Sequence, residues 1–241
     1  MAKSVLDPSM ELPPLTPARL VRRRNRFVAE ADLDDGTRVT VYCPNTGRML
    51  GCSEPGSRIF LSEHDAPGRK HRFTWELTRT NTSLVGVNTA RTNAIVREGI
   101  ETRKIRNFGE YVRSRPEVKL NAKTRLDFRL ESSDGGPSFF LEVKNCTLVL
   151  DGEASFPDAV SKRGTRHLQE LITLAESGYR AAVLFLVQRT DAEFFAPARD
   201  IDPEYSRWLD RAASAGVRAL CYDVRIDLER IEVNSELPVY H

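Results

Sequence analysis

The sequence predicts two architectures in one chain: a small all-β barrel, then an α/β domain. Three observations carry that expectation. Up to Val87 the chain is a series of short β-rich runs cut by turn residues. After Asn88, apolar residues at helical spacing alternate with strand-like runs, the pattern of helices packed on a mixed sheet. The length of 241 residues is enough for one large domain or two small ones, each with a core.

In the first part, residues 20–33 read as one β-rich run containing Val21, Phe27, Val28 and Ala29. Asp34-Asp35-Gly36 ends it, and Asp-Gly between strand-like runs signals a hairpin. Residues 38–42 follow with β-branched alternation, then Pro44-Asn45-Thr46-Gly47 supplies a turn. Runs at 49–52, 58–62, 72–78 and 83–87 complete the set, separated at Pro55-Gly56, Pro67-Gly68 and Asn81. Short strands at this density fit a small barrel, most economically an OB-like one. Residues 1–13 read as a loose tail, and the domains as 1–87 and 88–241.

The second part opens with a helix over 93–106, where Ile95, Val96, Gly99 and Ile100 recur at helical spacing. Strand-like runs follow at 111–120, 125–130 and 139–150. Residues 165–177 form a helix with Leu168, Leu171, Ile172 and Ala175 on one face and Gly178 as its stop. The apolar run 180–187 reads as a strand buried on both faces. A helix over 203–215 ends at Gly216, a strand covers 217–224, and the tail 231–241 packs as an edge.

Charge excludes a uniformly basic nucleic-acid binder. There are 13 Lys and Arg against 10 Asp and Glu through Gly86, and 23 against 24 beyond it. The basic residues do cluster: Arg19, Arg22, Arg23, Arg24 and Arg26 form one knot, and Arg69, Lys70, His71 and Arg72 another. Such knots follow a phosphate backbone or form a solvated face. The four cysteines fit no zinc spacing and no C-x-x-C pair, so a reducing cytoplasm is the simplest home. No apolar run is long enough to span a membrane as a helix, and no signal-peptide pattern opens the chain.

Chemistry concentrates in Arg125-Leu-Asp127-Phe and Phe139-Phe-Leu-Glu142-Val-Lys144, two strands joined through Asp134-Gly135-Gly136-Pro137. Glu142 and Lys144, two apart on a strand, share a face, and Asp127 meets Glu142 across the ladder. Asp127 and Glu142 suit a hard cation such as Mg or Mn, with the Val143 carbonyl as a further ligand. Lys144 would orient water or stabilise charge on a phosphate. The bland alternative is a surface ion pair on a strand. Downstream, Arg163, His167 and Glu170 lie near one side of a helix, either lining the same cleft or forming a solvated flank.

The ordered series Cys43-Pro-Asn-Thr-Gly-Arg48, Arg69-Lys70 with Phe73-Thr-Trp-Glu76, Val85-Gly-Val-Asn-Thr89, Thr124 to Phe128, Glu142-Val-Lys144, Phe156-Pro-Asp-Ala-Val160, Arg163 to Leu171 and Pro197-Ala-Arg-x-Ile-Asp202 resembles the sugar fermentation stimulation protein A family along nearly the whole chain. The resemblance implies an N-terminal OB-fold domain and a C-terminal PD-(D/E)xK restriction-endonuclease-like domain. It also implies DNA binding, linked to regulation of sugar metabolism. The fold's acidic motif then falls on Asp127 and its (D/E)xK on Glu142 and Lys144. A further acid from the first helix would be Glu98, with Glu101 and Glu117 as rivals, and His167 joins the catalytic set. Asn121 stands where a glycine often opens the strand before Asp127. Nucleic-acid contacts would come from Arg22, Arg23, Asn45, Arg48, Arg69, Lys70 and Arg163. Phe73 and Trp75 would stack on bases or, the preferred reading, enter the barrel core. Three functions follow: a Mg-dependent nuclease acting on single-stranded or branched DNA, a non-catalytic DNA-binding regulator, or a protein-interaction module.

Overall fold

The computed structural model of the chain describes residues 11–65, 70–109, 111–121, 124–132 and 135–241. Five strands close into a barrel: β1 (Leu15–Asn25), β2 (Val28–Leu33), β3 (Arg38–Tyr42), β4 (Arg58–Glu63) and β5 (Phe73–Arg79). The order is β3-β2-β1-β4-β5, and a short parallel pairing of β3 with β5 shuts the sheet. The short β6 (Leu84–Gly86) adds to β5. Alternation builds the interior: Ala18 and Leu20, Ala29 and Ala31, Ile59 and Leu61, and Phe73 and Trp75 all enter one core. Phe73 and Trp75 are 7% and 0% exposed, so they serve the core and not a ligand.

Two expectations change here. The run 20–33 divides into β1 and β2 at a tight turn through Arg26 and Phe27, which carries no Gly, Pro or Asp to mark it. The run 49–52 is a turn, with Met49 and Gly51 at φ of 57° and 72°, two left-handed residues that reverse the chain within three positions. The hairpin at Asp34-Asp35-Gly36 holds, with Gly36 at φ 85°. The turn signal Pro67-Gly68 and most of the tail fall outside the described residues.

Asn88 caps a short 3-10 turn that leads into α1 (Thr92–Glu101). Then come β7 (Tyr111–Lys119), β8 (Arg125–Ser132), β9 (Phe139–Cys146), β10 (Leu148–Leu150) and β11 (Glu153–Phe156). After α2 (Lys162–Glu176) follow β12 (Arg180–Val187), β13 (Phe194–Pro197), α3 (Pro203–Ser214), β14 (Arg218–Ile226) and β15 (Ile231–Leu237). The large sheet runs β15-β14-β12-β9-β8-β7. Strands β9, β12 and β14 are parallel and the outer pairs antiparallel, so the sheet is mixed as expected. β10, β11 and β13 form a separate small sheet, too short for periodicity to reveal. α2 begins earlier than expected because Ser161 caps it, its hydroxyl accepting from Gly164 N at 3.1 Å.

The sheet buries both faces. Leu168 and Leu171 of α2 and Tyr205 and Leu209 of α3 cover Phe140, Val183 and Phe185. On the other face Ile95 and Val96 of α1 meet Phe139, Leu141, Val143 and Leu184, joined by barrel residues Phe60, Leu77 and Leu84. Polar contacts reinforce that union. Gly86 N donates to Gln188 O at 2.8 Å, and a side chain at Gly86 would collide with the buried Gln188 amide. Glu76 of β5 accepts from Asn88 Nδ2 at 2.8 Å and from Arg91 Nε at 2.7 Å. Asp158, after β11, accepts from Met49 N at 2.8 Å and fills the space where a Gly47 side chain would sit.

Candidate functional site

The β8–β9 ladder pairs Leu130 with Phe139, Arg129 with Phe140 and Phe128 with Leu141, and then stops. At the next step Asp127 enters with its side chain, Oδ2 accepting from Val143 N at 2.7 Å. On the other flank β7 pairs Pro116 with Phe128 and Val118 with Leu126, leaving Glu117, at φ 57°, and Asp127 between them. Leu126 packs with the α2 side of the sheet, whereas Phe128 and Leu130 pack with the α1 side. The strand therefore changes face at Asp127, which aims the carboxylate out of the ladder.

The other Asp127 oxygen accepts from Asn93 Nδ2 of α1 at 2.8 Å. Glu142 and Lys144 share a face as expected: Lys144 Nζ donates to Glu142 Oε1 at 2.5 Å. His167 of α2 contacts the same oxygen through Nδ1, and its Nε2 accepts from Arg163 Nε at 3.4 Å. That pattern puts the imidazole proton on Nδ1. His167 is buried and braces Glu142. Burial and the nearby Glu142 charge push the Asp127 carboxyl above its ordinary range, against the two donors that support it. Burial also acts upward on Glu142, but the Lys144 charge and the His167 contact outweigh it and hold that carboxyl low.

Glu142 is 4% exposed, and its Oε2 atom is buried with no hydrogen-bond partner among the described residues. An unsatisfied carboxylate oxygen beside a second carboxylate is a costly arrangement that a cation relieves. The donor set, two carboxylates with the Val143 backbone alongside, fits a hard divalent ion. Among the described residues no three His, Cys, Asp or Glu side chains converge for a metal. Carbonyl, water and ligand oxygens would complete the shell, as is usual for Mg.

These groups face an open cleft of about 770 Å³ between the two domains. Asp127, Glu142, Val143, Lys144 and Asn145 form one wall; Arg26, Asn45, Thr46 and Gly47 of the barrel form the other. Lys162 and Arg163, in the first turn of α2, line the floor. A second hollow of about 390 Å³ shares Glu117, Asp127 and Arg163 with the cleft and adds Lys119 and Arg125. A third, of about 460 Å³, shares Arg26 and Thr46 and adds Arg48. The three make a continuous trough with exposed cations along it.

Several candidates stand elsewhere or are tied into the structure. Glu98 leaves the site: it points toward Arg230 at 3.6 Å, with Lys104 and Glu232 nearby. The reason is helical phase, since Glu98 lies five residues from the site-facing Asn93, about 140° around the helix. Glu101 lines a different hollow beside Ile100 and Arg103. Glu117 does line the cleft, paired with Arg125. Arg23 is consumed by the turn it supports, donating to the carbonyls of Asn45 at 2.5 Å, Gly47 at 2.8 Å, Arg26 at 3.1 Å and Arg48 at 3.3 Å. Arg22 pairs with Glu30 at 2.7 Å, away from the cleft. Asn45 is buried, and its Oδ1 accepts from Gly47 N at 2.9 Å. Lys70 lines a separate hollow, and Arg69 lies outside the described residues. Glu170 accepts from Asn121 Nδ2 at 2.8 Å and from Thr124 Oγ1 at 3.1 Å, tying α2 to the turn before β8.

Sequence reasoning missed Asn93, which becomes a neighbour of Asp127 only when α1 packs on the sheet. It named Arg26 only within a basic knot and Asp158 only within a motif, so a signal for both existed, and it missed Lys162.

Comparison with known proteins gives a consistent result. The family description "Sugar fermentation stimulation protein RE domain" matches residues 90–230, and "SfsA N-terminal OB domain" matches residues 21–87. A sugar fermentation stimulation protein homolog from Pelobacter propionicus is 46% identical over 95% of this chain and 99% of its own. One from Geobacter sulfurreducens is also 46% identical, over 94% and 96%. A solved structure described as Pyrococcus furiosus SfsA in complex with Ca2+ superposes with a TM-score of 0.88 at 28% identity, covering 96% of this chain and 98% of that one.

Proposed function

The chain belongs to the sugar fermentation stimulation family, and from that premise and the cleft geometry we propose that it binds DNA and cleaves it with a divalent metal. The reading assigns the C-terminal domain to the PD-(D/E)xK nuclease type, with Asp127, Glu142 and Lys144 as its motif. The observation that carries it is the buried Glu142 Oε2, without a hydrogen-bond partner among the described residues, beside Asp127 on one wall of an open, cation-lined cleft. The Ca2+ in the Pyrococcus furiosus relative supports a divalent ion, for which Mg or Mn is the working choice here.

Asp127, Glu142 and the Val143 carbonyl would hold the ion. When bound, it supplies Lewis-acid polarisation of a phosphodiester and acidifies water beside it. Lys144 places positive charge where negative charge builds on the phosphate oxygens. His167 keeps Glu142 Oε1 occupied, which would leave Oε2 as the oxygen available to the ion. Arg163, Lys162 and the start of α2 receive backbone phosphates, and Arg26 and Arg48 continue the track over the barrel. Single-stranded or branched DNA in the cytoplasm suits a cleft shared with an OB domain.

The test titrates Mg and Mn by calorimetry into the wild type and the Asp127→Ala/Glu142→Ala variant, with single-stranded, duplex and branched DNA incubated in parallel. Metal uptake and cleavage that both vanish in the variant support the proposal. Equal DNA binding by both proteins, without uptake or cleavage, replaces it with a non-catalytic DNA-binding regulator.

A further inference from the structure

We propose that the barrel carries a second nucleic-acid contact, a hollow walled by Phe27 and Tyr42 that takes an unpaired nucleobase of a strand leaving the cleft. The proposal rests on the DNA-binding reading above and narrows its substrate to DNA with an unpaired segment, since bases stacked inside a duplex offer no free face.

Phe27 sits at the tip of the β1–β2 hairpin and is 49% exposed, a large apolar ring held in solvent while Phe73 and Trp75 fill the barrel. The backbone fixes it: Phe27 N donates to Asn25 Oδ1 at 2.9 Å, and Cys43 N donates to Phe27 O at 2.8 Å. The adjacent ladder pair joins Val28 to Tyr42, so the two aromatic residues belong to one rigid corner. Together with Val28, Lys70 and His71 they line an apolar hollow of about 340 Å³.

Charge and continuity name the occupant. Exposed Lys70 and half-buried His71 edge a hollow otherwise lined by Phe27, Val28 and Tyr42, so it offers a π face beside a cation, the combination that binds a base and its phosphate. Arg26, the residue before Phe27, lines both the metal-site cleft and the groove beside Arg48. A strand whose phosphate meets Arg26 therefore has a base within reach of Phe27. Stacking needs no particular base, so the contact is sequence-tolerant.

The test measures fluorescence anisotropy of the full chain with labelled oligothymidine and with a blunt duplex, in chelator to prevent cleavage. Phe27 is exposed, so Phe27→Ala is expected to melt with the wild type. It should bind oligothymidine about tenfold more weakly and duplex within about twofold of wild type, and Phe27→Trp should restore single-strand affinity. Wild-type affinity of Phe27→Ala for oligothymidine overturns the proposal, as does an equal loss on both DNA forms. Capture of an abasic strand as tightly as oligothymidine overturns it too. Failure of the wild type to bind any DNA would instead sink the functional reading beneath it.

Discussion

Gly47→Ala tests whether the barrel turn is locked to the α/β domain through Asp158. An added Cβ would lie 2.5 Å from Asp158 Oδ2, 2.7 Å from Oδ1 and 3.0 Å from Cγ. Those atoms cannot retreat freely, because Oδ2 accepts from Met49 N at 2.8 Å and Met49 is fully buried. Displacing the carboxylate breaks a charge-assisted bond and strands a buried N–H, at a cost of about 1.5–3 kcal/mol. For a chain of this size that lowers Tm by about 3–12 °C. Urea unfolding and calorimetry of Gly47→Ala, Asp158→Ala and the double variant form the assay. Asp158→Ala alone should cost a similar amount. In that background Gly47→Ala should be neutral or stabilise by up to about 1 kcal/mol, because the space is then open and alanine restricts the unfolded chain. Equal destabilisation by Gly47→Ala in both backgrounds would refute the collision, and no destabilisation in the wild type would show that the carboxylate yields.

Arg23→Ala should lower stability by about 2 kcal/mol in urea unfolding, since it strips the donors from four turn carbonyls. Arg48→Ala should leave stability within about 0.5 kcal/mol of wild type and reduce the salt slope of DNA binding by about one. If the chain cleaves DNA as proposed, Glu98→Gln should leave the rate unchanged, because its carboxylate faces Arg230; a large loss would return that residue to the proposed site. Asp191 predicts a pH effect. Burial acts upward on its carboxyl, but hydrogen bonds from Arg189 and Thr82 outweigh it and lower the folded pKa. Its contribution is therefore present above the ordinary aspartate pKa of about 3.9 and is lost as pH falls through the lower folded value. Asp191→Asn should be less stable than wild type at pH 7 in urea unfolding, and the gap should narrow toward pH 3.

Much of the fold was legible because its elements carry strong local patterns. The run 180–187 reads as a strand buried on both faces, and β12 is central; Gly178 and Gly216 mark helix ends that the structure keeps. The pairing of Glu142 with Lys144 followed from strand alternation alone. What escaped depended on tertiary packing. Asn93 carries no local sign of facing Asp127, and the phase of α1 that removes Glu98 is set by Ile95, Val96 and Gly99 packing on the sheet. Arg23 looked like a phosphate ligand because its composition is right. Only the folded turn shows that both terminal nitrogens of its guanidinium are already committed to carbonyls.

Phe60, Leu77 and Leu84 leave the barrel to lie in the core of the neighbouring domain, and so the two walls of the trough are parts of one solid. A cleft between hinged domains adjusts its width to its ligand and spends binding energy on closing. Here the aperture is set before any ligand arrives. For a nucleic acid, the adjustment falls on the nucleic acid itself. Discrimination would then follow how cheaply a strand bends, frays or unstacks to fit, a mechanical selectivity that needs no reading of base edges.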